Sequence, residues 1–232
     1  MKYAFVFSAL GLVCAFYCLS VDVFWLRLVF ASLALCWSGV GAAYAGVGGR
    51  IFGKRRDGRL ALWSAAFWPF HLLNYVLLSS FRRGKKENRF DLVAENIWLG
   101  CQLGAGDEAE LSSHHVRAVL DLTCEFAEVP FLRRLNYRSI AILDTRAPTL
   151  EQLQEGADFL LQSAAYGPVY VHCALGHGRS ALFVAAYLVR SGQAKTAGEA
   201  VEMVRAKRPR IGLYPGQYAV LERLVQVNSG VS

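Results

Sequence analysis

The residues with the most chemistry in their spacing are Cys173, Arg179 and Ser180, within Val169-Tyr170-Val171-His172-Cys173-Ala174-Leu175-Gly176-His177-Gly178-Arg179-Ser180. The β-branched and aromatic run Val169 to Val171 predicts a buried strand, and the apolar run Ala181 to Val189 predicts a helix. A tight loop from strand to helix aims successive backbone N–H groups into one concavity at the positive helix end, a ready anion site. Gly176 and Gly178 admit backbone angles that other residues resist. Arg179 adds a planar fork matched to two phosphate oxygens. The same field favours the thiolate of a cysteine at the start of the loop, so Cys173 would face a bound phosphorus as a nucleophile.

Displacing an alkoxide or phenoxide from phosphorus also requires a proton for the leaving oxygen, and a positioned carboxylic acid contributes ~10²–10⁴-fold. Asp144 is the candidate. It follows the alternating stretch Tyr137 to Leu143, opens the loop Asp144-Thr145-Arg146-Ala147-Pro148, and precedes Cys173 by 29 residues. One helical crossover of that length brings both loops to the carboxyl edge of a sheet, where open α/β folds place their crevice. A lone Asp here would otherwise open a turn or cap a helix. Arg146 could contact substrate or stand solvated, with solvation preferred, and Asp121, at a strand end, reads as structural.

A bare Cys-x5-Arg spacing recurs by chance. This loop also carries His172, two glycines and Ser180 at a strand–helix junction. On those residues, His172-Cys173-x5-Arg179-Ser180 resembles the signature loop of the cysteine-based protein tyrosine phosphatases, specifically the compact dual-specificity branch. The resemblance covers about the last three-fifths of the chain. Asp144 to Pro148 also resembles the acid loop of plant and bacterial dual-specificity-like members. What the resemblance implies is a cysteinyl-phosphate mechanism with no metal and no cofactor. Cys173 would be the nucleophile, and Cys173, Ala174, Leu175, Gly176, His177, Gly178 and Arg179 the phosphate cradle. Asp144 would be the acid, Ser180 a hydrogen-bond partner of the sulfur, and His172 a residue tuning the thiol from beside the loop. An Arg-Pro turn, here Arg208-Pro209, and a final helix beside the loop belong to the same expectation.

The elements that must hold these residues follow from periodicity. Strands are predicted over 96–99, 116–122, 137–143 and 169–171, with a short helix or turn over 107–112. Thr149 with Gln152, and Thr196 with Glu199, are capping boxes opening helices to about Ala165 and Ala206. A final helix starts near Tyr214-Pro215 and runs to Val227. His114 and His115 are adjacent, without the spacing of a shared metal site, and read as surface residues. The fold class is α/β, a central mostly parallel sheet flanked by helices over 88–232, preceded by an α-helical membrane module over 1–87.

That module carries the apolar excess. The chain of 232 residues is 54% hydrophobic, and mean hydropathy is +0.29. Tyr3 to Leu19 and Leu28 to Gly49 hold no charged residue, and each is long enough to span a bilayer core. A signal peptide is the alternative for the first; only Lys2 precedes it and no clean small-x-small cleavage site follows. Helices over 3–19 and 28–49 would form a hairpin, and Ser38, Ala42 and Gly46 offer a small-residue face for packing within it. A third stretch, 60–81, has basic residues at both ends: Arg50, Lys54, Arg55, Arg56 and Arg59 before it, and Arg82, Arg83, Lys85, Lys86 and Arg89 after it. Positive flanks prefer the cytoplasm, and Trp68-Pro69 breaks a helix near its middle. A bent, re-entrant or interfacial helix is expected, with a kinked third span as the rival.

Residues 1–89 hold twelve Lys and Arg against three Asp and Glu, and the rest hold thirteen against fifteen. The net charge of +7 thus comes from the membrane part, which points to orientation and anionic-lipid contact rather than nucleic acid. The six cysteines, at 14, 18, 36, 101, 124 and 173, show no disulfide or CxxC spacing. A working thiolate needs a reducing compartment, so the reading is a membrane protein, taken as one of a bacterial inner membrane, with a cytoplasmic α/β half. Its expected substrate is a phosphoprotein, through dual-specificity action on Tyr, Ser and Thr. The alternative is a phospholipid such as phosphatidylglycerophosphate. Apolar Ala174 and Leu175 leave His177 the one candidate cation inside the loop, which weighs against polyphosphoinositides. The alternative of another class is a non-catalytic phosphate-binding module, though such proteins typically lose Cys, Arg or Asp and all three are present here; the His-Cys-x5-Arg-Ser arrangement disfavours rhodanese-like sulfur transfer.

Overall fold

Helices α1 (Lys2–Ser20) and α2 (Phe24–Ala42) form an antiparallel hairpin in this computed structural model, which describes residues 2–84, 87–228 and 230. Lys85 and Lys86 of the basic flank lie outside the described residues. The helices meet through small residues. A Cβ on Gly11 would fall 2.9 Å from Ser38 N, and one on Gly41 2.9 Å from Ser8 N, so backbones touch and dispersion contacts replace a hydrophobic drive. Ser38 thus lies on the packed face as expected, but Gly41 takes the place assigned to Ala42 and Gly46. Both helices are long and apolar enough to cross a membrane, and Phe5, Leu12, Phe16 and Leu35 face outward, uncovered.

The second helix begins earlier than the charge-free stretch 28–49 predicted. Arg27 fits inside it because its Nε reaches back to Val21 O at 2.8 Å, keeping the charge at the helix end. The regular helix stops at Ala42, continues as a π turn over Ala43–Val47 and breaks at Gly46, whose φ is 144°. A short 3₁₀ turn, Gly49–Phe52, then enters the α/β half.

The third apolar stretch is not one continuous helix, and Pro69 stands in the first turn of its α-helical part, where its missing N–H costs nothing. A 3₁₀ turn over Leu62–Phe67 leads into α3 (Trp68–Arg83). At 16 residues α3 is ~24 Å long, short of a ~30 Å hydrocarbon core. Its inner face is committed elsewhere. Phe70 stacks on Phe52 with ring centroids 4.6 Å apart, and both share a buried cluster with Cys124 and Leu143 of the α/β half. Leu72, Leu73, Val76 and Leu77 remain exposed on the other face.

Five strands form one sheet among the described residues: β1 (Phe90–Ala94), β2 (Ile97–Gly100), β3 (Ala118–Thr123), β4 (Asn136–Ile142) and β5 (Val169–His172), in the order β1-β2-β5-β3-β4. All pairings are parallel except β1 with β2. β1 was absent from the predicted strands. It joins β2 through a two-residue turn, Glu95-Asn96, with no glycine; Asn96 takes the left-handed role at φ 58°.

Helices α6 (Leu150–Ala164), α7 (Arg179–Arg190), α8 (Ala197–Lys207) and α9 (Pro215–Asn228) cover one face of the sheet. Helix α7 is buried from Arg179 through Val189, so the strand–loop–helix unit around Cys173 is the centre of the core. A second cluster on the other face joins Phe90, Val119 and Tyr170 to Leu111 of α4 (Glu108–Ser112) and Leu132 of α5 (Pro130–Arg133). Both strand faces are therefore apolar, as parallel sheets require.

Candidate active site

The loop from β5 to α7 is shaped by what holds its carbonyls. Ala174 O accepts from Gln102 N at 3.0 Å and His177 O from Gly212 N at 3.2 Å. Gly176 O and Leu175 O accept from Arg208 at 3.0 and 3.4 Å. Carbonyls drawn outward leave the intervening N–H groups turned inward, which is how a loop without cations becomes an anion cradle. Gly176, at φ 78°, is required: a Cβ there would lie 2.6 Å from Gly100 O. Gly178 lines the cleft with an ordinary φ of −106°, and a Cβ there would meet Gln217 Oε1 at 3.5 Å and Gly212 O at 3.6 Å, ordinary contact, so the loop's backbone does not require a glycine at this position.

Cys173 sits at the cradle's base, 3% exposed. Its Sγ lies 3.3 Å from Ser180 Oγ and accepts from Gly176 N at 3.3 Å. Burial alone would raise its pKa, but the Arg179 charge and hydrogen bonds from the Ser180 hydroxyl and N–H outweigh it and hold the thiol below its usual value. His172, fully buried, is stacked under Tyr170. Its Nε2 lies 2.7 Å from Glu128 Oε2, off the line of a well-formed hydrogen bond, and 3.9 Å from Asp121 Oδ1. Burial lowers its pKa, while Glu128 and Asp121 more than restore it, so the imidazole is driven toward the cation.

Arg179 is held by a residue that sequence reasoning passed over. Glu125 takes it bidentately, Oε1 from Nη2 at 2.7 Å and Oε2 from Nη1 at 3.0 Å, and Ile142 O accepts from Nη1 at 2.8 Å. Burial works against ionisation of Glu125, yet the Arg179 charge keeps its pKa below the usual value. Arg179 Nε is buried and has no acceptor among the described residues. Asp144, at the end of β4, is exposed, with Oδ1 3.2 Å from Arg179 Nη2. Cys173, Arg179, Ser180 and Asp144 thus converge as the spacing predicted, and His172 stands beneath them.

The cleft above is ≈ 450 Å³, walled on one side by Asp144 and the loop residues Ala174, Leu175, His177 and Gly178, and on the other by Arg210, Gly212, Leu213 and Tyr214. His177, the loop's candidate cation, is already paired: its Nε2 lies 2.6 Å from Glu87 Oε2. Gln217 is fully buried and ties Tyr214 N to Arg146 O at 3.1 Å each, so it packs the final helix to the acid loop.

Beneath the cradle lies a buried ionic network that reaches into the basic segment before α3. Lys54 Nζ is 2.6 Å from Asp121 Oδ2, both side chains fully enclosed, and it also bonds Thr123 Oγ1 at 3.2 Å. Asp121, Glu128 and His172 could share an ion by proximity; the Lys54 ammonium already serves Asp121 in that role. From α3, His71 Nδ1 donates to Glu125 O at 2.8 Å, which leaves Nε2 to accept from the Ser64 hydroxyl at 2.7 Å. The basic flank read as membrane orientation therefore supports Asp121 through Lys54, and α3 supports Glu125 through His71. A run of acids just past a strand's carboxyl end, Glu125 and Glu128 after β3, was the available signal.

The family profile described as the dual specificity phosphatase, catalytic domain, matches residues 97–224. The chain belongs to the dual-specificity phosphatase family. The Arabidopsis thaliana phosphatidylglycerophosphate phosphatase PTPMT2 is 28% identical over 200 residues, 82% of this chain and 78% of that protein. The human phosphatidylglycerophosphatase and protein-tyrosine phosphatase 1 is 35% identical over 164 residues, 63% of this chain and 81% of that one. A crystal structure of PTPMT1 in complex with PI(5)P superposes with a TM-score of 0.57 at 25% identity, over 62% of this chain and 98% of that one. This dual-specificity phosphatase is a cysteine-dependent phosphomonoester hydrolase.

Proposed function

We propose that this phosphatase removes the terminal phosphomonoester of a glycerophospholipid at a membrane surface, the reading that sequence analysis ranked behind a phosphoprotein. The observation that carries it is the position of the cleft against the α1–α2 hairpin. Gly49, just beyond α2, packs on Cys124 with no room for a Cβ, and Lys2 and Tyr3 of α1 share a cavity with Thr145 and Arg146 of the acid loop. A cleft at the root of two apolar helices meets substrates lying in the bilayer plane. The relatives named for phosphatidylglycerophosphate support the same class. Because His177 is spent on Glu87, the loop holds no spare cation for further ring phosphates, which favours a glycerol-linked monoester over a polyphosphoinositide.

In this mechanism the Cys173 thiolate attacks phosphorus in line, and the phosphoryl oxygens take the inward N–H groups and the free Nε of Arg179. Asp144 gives its proton to the departing alkoxide. Water then attacks the cysteinyl-phosphate, Asp144 takes the proton of that water, and the thiolate leaves with the Ser180 hydroxyl donating to sulfur. His172 stabilises the loop base by its charge and transfers no proton. Asp121 is structural.

The test is hydrolysis by the full chain reconstituted in vesicles, with phosphatidylglycerophosphate, a phosphotyrosine peptide and an aryl phosphate as substrates. The expected result is a kcat/KM for the lipid well above that for the peptide, and loss of all three activities in Cys173→Ser. A peptide preferred over the lipid overturns the substrate reading. Equal activity of wild type and Cys173→Ser overturns the catalytic one.

A further inference from the structure

We propose that Arg146 and Lys2 form a second phosphate site, which takes the diester phosphate of a lipid whose terminal monoester lies over Cys173. This rests on the phospholipid reading above and specifies which part of the lipid is recognised. The direction comes from the acid. Asp144 faces the leaving oxygen, so the departing alcohol must extend past Asp144 and not back into the loop. Immediately past it the chain presents Thr145 and Arg146, and the cleft wall formed by Tyr214 is also a wall of a second cavity of ≈ 220 Å³. The remaining walls of that cavity include Lys2 and Tyr3 of α1 and Tyr44 in the π turn after α2.

Charge identifies the ligand. Arg146 and Lys2 are exposed cations from two separate elements, and among the described residues no carboxylate lines the cavity they share. Most arginines of the α/β half, including Arg138, Arg190 and Arg208, have acidic partners; among the described residues neither Arg146 nor Lys2 does. Two solvated cations on one open concavity repel only weakly through water, and an anion seated between them interacts with both. The backbone is also arranged for it. Thr145 adopts φ 64°, a left-handed conformation that a β-branched residue resists, and Gln217 clamps Arg146 O, so the loop turns sharply toward the hairpin at a conformational cost.

The chemistry that fits is a phosphomonoester and a phosphodiester joined by a short polyol. The monoester occupies the cradle, the polyol passes Asp144, and the diester meets Arg146 and Lys2. The acyl chains then continue along the exposed apolar face of α1, which begins at Tyr3, Phe5 and Val6. A bisphosphate lipid of this kind gains an interaction that phosphatidic acid, with one monoester attached directly to diacylglycerol, does not.

The experiment compares phosphatidylglycerophosphate with phosphatidic acid in the same vesicles, using the full chain and the variants Arg146→Gln, Lys2→Gln, both together, and Arg146→Lys. Wild type is expected to prefer the bisphosphate lipid. The ratio of the two kcat/KM values should fall about tenfold for each cation removed, the size of one charge-assisted hydrogen bond, chiefly through KM. Arg146→Lys should keep most of the preference. A double variant that retains the wild-type ratio, or that loses both substrates in equal proportion, overturns the site while leaving the phospholipid reading intact. A wild type inactive on both lipids overturns the phospholipid reading and the site with it.

Discussion

Cys173 is enclosed in a core where an unpaired charge is expensive, and the Arg179 charge with the Ser180 hydrogen bonds lowers its pKa against that burial. Asp144 is the opposite case, an exposed carboxyl at the rim whose use is positional. For Asp144→Asn we expect turnover of alkyl phosphates to fall by ~10²–10⁴-fold, with a far smaller loss for aryl phosphates that leave without a proton. The dependence of kcat/KM on leaving-group pKa measures this directly; an unchanged slope excludes the acid role. His172 makes a prediction about stability. Its carboxylate neighbours raise its pKa above the ordinary 6.5, so the stabilisation from this pairing is complete below the unfolded value and is lost as pH climbs through the folded one. Chemical denaturation of the full chain should show stability falling as pH rises above the ordinary histidine value of 6.5, and His172→Gln should flatten that limb. Parallel curves for the two proteins would show that another group sets it.

The elements outside the family profile also hold the site together. Lys54 lies between the hairpin and α3, yet its ammonium is sealed against Asp121, and α3 holds the backbone of Glu125 through His71. Removing one partner of an enclosed ion pair leaves a charge without compensation, so Lys54→Met should cost ~3–5 kcal/mol of stability. Adding Asp121→Asn should recover a substantial part of that loss. Denaturant unfolding in detergent tests both, and a cost no larger than that of an exposed salt bridge would contradict the enclosed pair. These contacts also explain what could be read in advance. The signature loop was legible because its parts are neighbours in the chain, with the strand and helix periods on either side. The capping box at Thr149 and Gln152 was legible for the same reason, and it forms as drawn. Glu125 meets Arg179 across 54 residues, Arg208 meets Gly176 across 32, and Lys54 meets Thr123 across 69. No local pattern announces such pairs. Lys54 was further masked by standing in a basic cluster, where a cation ordinarily means orientation at a membrane, and β1 by its glycine-free turn.

At the scale of the molecule, the uncovered apolar faces share a region with the cleft. The hairpin root packs on the acid-loop side through Gly49 and Leu143, and α3 lies across the same half with Phe70 inward and Leu72, Val76 and Leu77 outward. Leu62, 95% exposed, and Trp63 extend that outward face. In a water-soluble protein so many adjacent exposed apolar side chains would be an aggregation liability. Flanked by Arg55, Arg56, Arg82 and Arg83, they have the composition of a helix lying in the headgroup boundary, where tryptophan concentrates and cations meet anionic lipid. The proposed consequence is orientation: a hairpin crossing the bilayer with α3 flat against it would open the cleft along the lipid surface. Brominated acyl chains supply the measurement. With Trp25 and Trp37 replaced by phenylalanine, Trp63 and Trp68 should be quenched in anionic vesicles while Trp98, in β2, is not. Substituting Leu72 and Val76 by Glu should weaken the quenching and lower lipid turnover several-fold relative to aryl phosphate. Quenching of Trp63 and Trp68 no greater than that of Trp98 would place α3 in water and remove the reason for the cleft to face the membrane.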